Sequence, residues 1–242
     1  MSILLEVIAF DINSCKLIEA NGGGRIELCA NPPEGGTTVS YGMMRAAREA
    51  VQIPVFPIIR PRGGDFLYTP EEIDVMKKDI QLAKELGMDG VVFGCLKSDG
   101  RVDYETTAKL VELAYPMDVT FHRAFDQVPN QLEALEVVIA AGCQRILTSG
   151  GANTVMEGLS SLLACIKEAK ERIIILPGAG IRSGNIAQLQ QLTGLSEFHS
   201  SARKITTGNM EYKNPSLSEG AQTWTVDPDE IRELLRNVRS ET

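Results

Sequence analysis

The sequence predicts an α/β chain folded as one domain, a (β/α)8 TIM barrel over residues 1–242. Three observations carry this. Eight short apolar runs alternate with eight stretches of helical pattern. A recurring joint links them. At Gly23-Gly24-Arg25-Ile26-Glu27, Gly87-Met88-Asp89-Gly90-Val91, Gly142-Cys143-Gln144-Arg145-Ile146 and Gly194-Leu195-Ser196-Glu197-Phe198 a helix ends on glycine and a strand follows. Helical crossovers of this kind are what parallel strands require. The length, 242 residues, suits a barrel. A doubly wound open sheet is the alternative, but no GxGxxG opens the first helix.

The elements follow in order. Residues 3–9 form the first strand, and Asp11 caps a helix over 11–20 that Gly22-Gly23-Gly24 ends. The second strand is 25–29, with a helix over 41–51. Pro54 precedes the third strand, 55–60. Thr69-Pro70-Glu71-Glu72 opens the next helix, to 86, with Thr as cap, Pro as first helical residue and Glu completing a capping box. Strands at 89–94, 119–122, 145–149, 173–176 and 197–199 alternate with helices at 103–115, 130–141, 154–170 and 183–192. Asp227-Pro228-Asp229-Glu230 starts the last helix, to 239. Residues 204–226 break the rhythm. They are rich in Gly, Ser, Thr and Asn and read as a long polar loop: a lid, an interface or a disordered segment. Trp224 reads as a packing or interface anchor.

The net charge of −8 argues against nucleic acid or an anionic membrane as partner. No run of about 18 apolar residues predicts a membrane span. Met1-Ser2-Ile3-Leu4-Leu5-Glu6 lacks the basic start of a signal peptide. The five cysteines, an odd number without CxxC, suit reduced thiols in the cytoplasm. We expect a cytoplasmic homodimer or higher homo-oligomer.

Active sites of barrels lie at the C-terminal ends of the strands, where most of the unusual residues collect. Glu6 and Glu27 interrupt apolar strands and need partners, Arg60 being the nearest candidate; a bracing Glu–Arg network is the alternative to catalysis. Thr120-Phe121-His122-Arg123-Ala124-Phe125-Asp126 runs from strand into a cluster of catalytic side-chain types. Glu197 and His199 lie two apart and so share a face. Candidate acid–base groups are therefore His122, Glu27, Glu197, His199 and Asp126. Arg60, Arg62 and Arg123 are candidate anion ligands, with ion pairing to Asp65 or Glu27 as the alternative for the first two. Three turns, Ser149-Gly150-Gly151, Gly178-Ala179-Gly180 and Ser200-Ser201, can aim backbone N–H groups at phosphate, or are tight turns without a ligand. Thr148 stands where a Schiff-base lysine would, and no HxH or HExxH is present, which disfavours those chemistries.

Several strings together resemble the CutC family: Arg25-Ile26-Glu27-Leu28-Cys29, Glu34-Gly35-Gly36-Thr37-Thr38, Arg60-Pro61-Arg62-Gly63-Gly64-Asp65-Phe66, Thr120 to Asp126 as above, and Glu197-Phe198-His199-Ser200-Ser201-Ala202. The resemblance implies a cytoplasmic TIM barrel linked to copper homeostasis. Cu(I) prefers Cys and Met sulfur. Cys29 matches the family's cysteine on the second strand and is implied as the metal ligand, with a buried apolar filler as the alternative. Some relatives carry a second cysteine where this chain has Ile8; Cys95 is the other candidate. Two functions stand side by side: a copper-binding homeostasis protein, and an enzyme using His/Glu acid–base chemistry on a small metabolite bearing phosphate or carboxylate. The implied partners are copper or that anion.

Overall fold

The structure, a computed structural model, describes residues 3–207, 210–212, 214, 216 and 222–239. In chain order the units are β1 (Leu4–Ala9) and α1 (Ile12–Ala20), β2 (Arg25–Leu28) and α2 (Tyr41–Ala50), β3 (Val55–Pro57) and α3 (Pro70–Glu85), and β4 (Gly90–Phe93) and α4 (Tyr104–Ala114). They continue with β5 (Asp118–Phe121) and α5 (Gln131–Ala140), β6 (Arg145–Thr148) and α6 (Leu159–Ala169), and β7 (Ile174–Pro177) and α7 (Ile186–Thr193). Between β8 (Glu197–Ser200) and α8 (Pro228–Arg239) lie β9 (Arg203–Thr207) and β10 (Gln222–Val226).

Parallel ladders run β3-β2-β1-β8 and β4-β5-β6-β7. A parallel bridge between Ile58 and Val92 joins the third strand to the fourth, and β7 lies beside β8, so the two sheets close into one (β/α)8 barrel. Local chemistry sets the helix ends as anticipated. Thr69 and Glu72 form the capping box that starts α3. Gly194 ends α7 in the left-handed region, at φ 68°.

Some boundaries differ from the sequence reading. The helix expected from 154 starts at Leu159. Thr154 and Glu157 exchange backbone–side-chain hydrogen bonds like a capping box but close only a turn. The segment 204–226, read as a loop, starts and ends in antiparallel strand, with Trp224 opposite Ile205 and the Arg203 guanidinium over the Trp224 ring. Most of its middle lies outside the described residues.

Alternate strand residues such as Val7, Ile26, Val91, Val119 and Phe121 face the helices and build the outer core. The barrel interior is different. Its apolar part is small, made by Cys29, Phe56, Ile58 and Val92 with Ile8 and Phe10 against them. Much of the remainder is polar and buried: Glu6, Arg25, Glu27, Thr120 and His199. Most barrels fill this space with Val, Ile and Leu, so charge here must be matched by charge.

Candidate functional site

Register builds the site. On β1, Glu6 lies opposite Arg25 on one side and His199 on the other, and Ile8 lies opposite Glu27. Glu6 is fully buried and accepts from Arg25 Nε, while its other oxygen is 2.7 Å from His199 Nδ1. Burial would raise the Glu6 carboxyl, but Arg25 and His199 outweigh it and hold it below the ordinary carboxylate range. An ionised Glu6 requires Nδ1–H to be the donor, which leaves His199 Nε2 facing Glu27 at 3.7 Å. Burial raises the Glu27 carboxyl, more than the nearby His199 lowers it. Burial opposes charge on His199, but the Glu6 hydrogen bond and the two carboxylates prevail and raise it. Glu27 and His199 thus face each other across 3.7 Å, each charge favouring the ionised form of the other.

The pair opens into a cavity of about 420 Å³ at the C-terminal ends of the strands, also lined by Arg60, Phe66, His122 and Arg123. Arg60 is 5% exposed. Its Nη1 donates to the carbonyls of Glu34 (2.6 Å) and Gly36 (2.8 Å), and its Nη2 to that of Gly64 (2.7 Å). These bonds tie together the loops after β2 and β3. Among the described residues no carboxylate stands within ion-pair distance of Arg60, so a buried positive charge faces the cavity without a counter-charge. Phe66 holds the group in place, with the guanidinium 5.0 Å above its ring and the His122 ring 4.8 Å away on centroids. Burial first, and then Arg60, lower His122 to about 3, so its imidazole is neutral.

Other expected site residues have different employment. Glu197 begins β8 at the N-terminal end of the barrel, where Arg25 (2.8 Å) and Arg145 (3.1 Å) donate to it. It shares a face with His199 but sits below it, away from the mouth. Asp126 fills the cradle after β6. Its carboxylate accepts from Ser149 N–H and Gly151 N–H, each at 3.0 Å, from Thr148 Oγ1 at 2.5 Å and from Arg123 Nε at 2.7 Å. The Ser149-Gly150-Gly151 turn thus holds the protein's own carboxylate, and Gly150 N–H donates to Thr148 Oγ1. Gly178 N–H is bonded to the Thr148 carbonyl and Ser200 Oγ to that of Ile181. Gly180 and Ser201 do line the cavity. Arg62 is neutralised by Glu72 (2.6 Å) and Asp65 (3.0 Å) beside α3. Sequence reasoning offered Arg60 as the partner of the strand glutamates. The partner of Glu6 is Arg25, which strand alternation places on the same inner face as Glu27. Phe66 was legible only as part of a motif.

The donor set does not fit a copper ion. Cu(I) calls for soft sulfur ligands in combination. Cys29 lies in the inner cluster, while Cys95, Cys15, Cys143 and Cys165 belong to the outer core on the far side of the sheet. Burial and the adjacent Glu27 push the Cys29 thiol well up, against thiolate formation. Among the described residues no group of three His, Cys, Asp or Glu is arranged to hold a metal.

The family model described as the CutC family matches residues 3–204. Over 218 residues the chain is 47% identical to a copper homeostasis protein cutC homolog of Mus musculus, covering 90% of this chain and 80% of that one. It is 47% identical over 241 residues to a family protein CutC of Parabacteroides distasonis, with 99% of each chain covered. A solved structure of a copper homeostasis protein CutC from Streptococcus agalactiae matches with a TM-score of 0.79 at 33% identity, over 82% of this chain and 98% of that one.

Proposed function

The chain belongs to the CutC family, and on that footing we propose that it serves copper homeostasis, the role its relatives are named for, through an acid–base site for a small anionic metabolite rather than by storing the ion. The observation that carries this reading is the buried charge of Arg60, without a counter-charge, in the same cavity as the facing Glu27–His199 pair. A buried cation held only by neutral carbonyls, without a counter-charge, is costly, and an anionic ligand relieves that cost. Gly180 and Ser201 supply further wall, and a metabolite bearing phosphate or carboxylate meets both needs.

Melting curves with inorganic phosphate, small phosphorylated acids and small carboxylic acids test it. At least one class raises the melting temperature of the unaltered chain, and Arg60→Met removes the rise. No rise with any class overturns the reading. In parallel, Cu(I) titration against a competing chelator gives equal affinity for the chain and for Cys29→Ala; a loss in the variant puts the ion back at Cys29.

No helix among the described residues is long and apolar enough to cross a membrane. The five free, buried thiols favour a cytoplasmic setting. Self-association would use the β9–β10 ribbon and its continuation, where Ile205, Met210 and Tyr212 stand exposed.

A further inference from the structure

His122 Nε2 and Arg60 Nε are buried donors without a hydrogen-bond partner among the described residues, with the Tyr68 hydroxyl close enough to feel the Arg60 charge. His122 is 4% exposed, and its Nδ1 accepts the backbone N–H of Ala124 at 3.2 Å. A neutral imidazole that accepts at Nδ1 carries its proton at Nε2. That Nε2 is buried and without a partner among the described residues, and so is Arg60 Nε. Buried donors in folded proteins almost always find acceptors, so two orphans at one cavity ask for an acceptor from outside. Both groups pack against the same Phe66 ring, which fixes them relative to each other.

We propose that His122 Nε2–H and Arg60 form an oxyanion site for a carbonyl compound, and that the reaction at this mouth is proton abstraction from the carbon next to that carbonyl. The inference rests on the anionic-metabolite reading above and adds the reacting group and the reaction class. The Glu27–His199 pair takes the proton from carbon. The C–H electron pair becomes the C=C bond, and the carbonyl π pair moves onto oxygen. The resulting oxyanion accepts from His122 and Arg60, donors fixed in place before charge develops. Return of the proton to the same carbon gives exchange; where that carbon bears a hydroxyl, the hydroxyl proton passes to the oxyanion, a new carbonyl forms there, and return of the first proton to the former carbonyl carbon gives isomerisation. A neutral imidazole is suited to this task, because it donates to the oxyanion while keeping its own proton.

The test uses oxalate, a planar mimic of an enolate acid, with inorganic phosphate and pyruvate alongside. In the unaltered chain, oxalate moves the His122 Nε2–H resonance downfield. This readout needs no variant, so a misfolded substitution does not remove it. His122→Phe weakens oxalate by about tenfold or more, while His122→Gln, which restores an N–H near Nε2, recovers most of that loss. Pyruvate exchanges its methyl hydrogens for solvent deuterium faster than in buffer, and His122→Phe abolishes the excess. If oxalate binds but neither moves the resonance nor senses His122→Phe, the oxyanion site is overturned while the anionic-metabolite reading stands. If oxalate does not bind, the oxyanion site is overturned, and if phosphate, the phosphorylated acids and the other carboxylic acids also fail to bind, both fall. Oxalate held by His122 without pyruvate exchange overturns the reaction class.

Discussion

Glu27 and His122 are both buried at one cavity, yet their environments push them in opposite directions, and each has its own pH window. The folded pKa of Glu27 is raised, so its contribution to stability is full below the unfolded value of 4.5 and is lost as pH rises through the folded pKa. Glu27→Gln stays neutral and escapes that loss. Its melting temperature relative to the unaltered chain should climb between about pH 5 and pH 8. His122 is depressed from 6.5 to about 3, so its contribution is full above 6.5 and is lost as pH falls toward 3. Urea unfolding of His122→Gln should therefore show a shallower loss of stability on the acid side. Parallel pH profiles for variant and unaltered chain would contradict the burial argument for either residue.

The loop after β6 is an element whose shape is set by one carboxylate. The short 3-10 helix Arg123–Gln127 brings Asp126 under the backbone of Ser149 and Gly151, where several donors converge. Gly150 is at φ +74°, and a Cβ there would meet the Gly158 carbonyl oxygen at 2.2 Å, so the turn has no room to rearrange. Asp126→Ala leaves those N–H groups orphaned and should cost about 2–4 kcal/mol in urea unfolding. It should also loosen Arg123, which loses its ion pair. A cost below about 0.5 kcal/mol would mean that water replaces the carboxylate at no penalty.

Across the whole molecule, a column of charge runs down the barrel from the mouth to the N-terminal end. His199 leans on Glu6, Glu6 on Arg25, Arg25 on Glu197, Glu197 on Arg145, and Arg145 on Asp118. The Arg25 and Arg145 guanidiniums both stand over the Phe56 ring, at 5.1 and 5.6 Å. Removing one member strands the others. Arg25→Met leaves Glu6 buried without its strongest partner and should cost about 3–5 kcal/mol. The substitution should also raise the pKa of His199, since the Arg25 charge opposes the imidazolium. Calorimetry together with the His199 NMR titration measures both effects. An unchanged melting temperature would make the column decorative.

The repeating strand–helix pattern, the glycine joints and the capping box at Thr69 are local, and local chemistry was enough to declare a barrel from the sequence. Alternation along the strand likewise put Glu197 and His199 on one face, Glu27 stood out as a charge in an apolar strand, and the motif Arg60 to Phe66 was visible as a string. Partnership was not legible, because it depends on register between strands far apart in the chain. Only the ladder of β1 with β2 and β8 places Glu6 between Arg25 and His199. Depth was equally hidden. Glu197 and His199 share a face, but the rise of two residues along β8 puts one toward the base with Arg145 and the other at the mouth. The glycine-rich turn after β6 looked free for an external anion, since nothing in the sequence said that Asp126, 23 residues before Ser149, would occupy it. Residue type and spacing determine which groups can ionise, bend or donate. Which of them are already satisfied is decided by tertiary packing, and two of the unsatisfied ones that line the cavity, on Arg60 and His122, are where the function is sought.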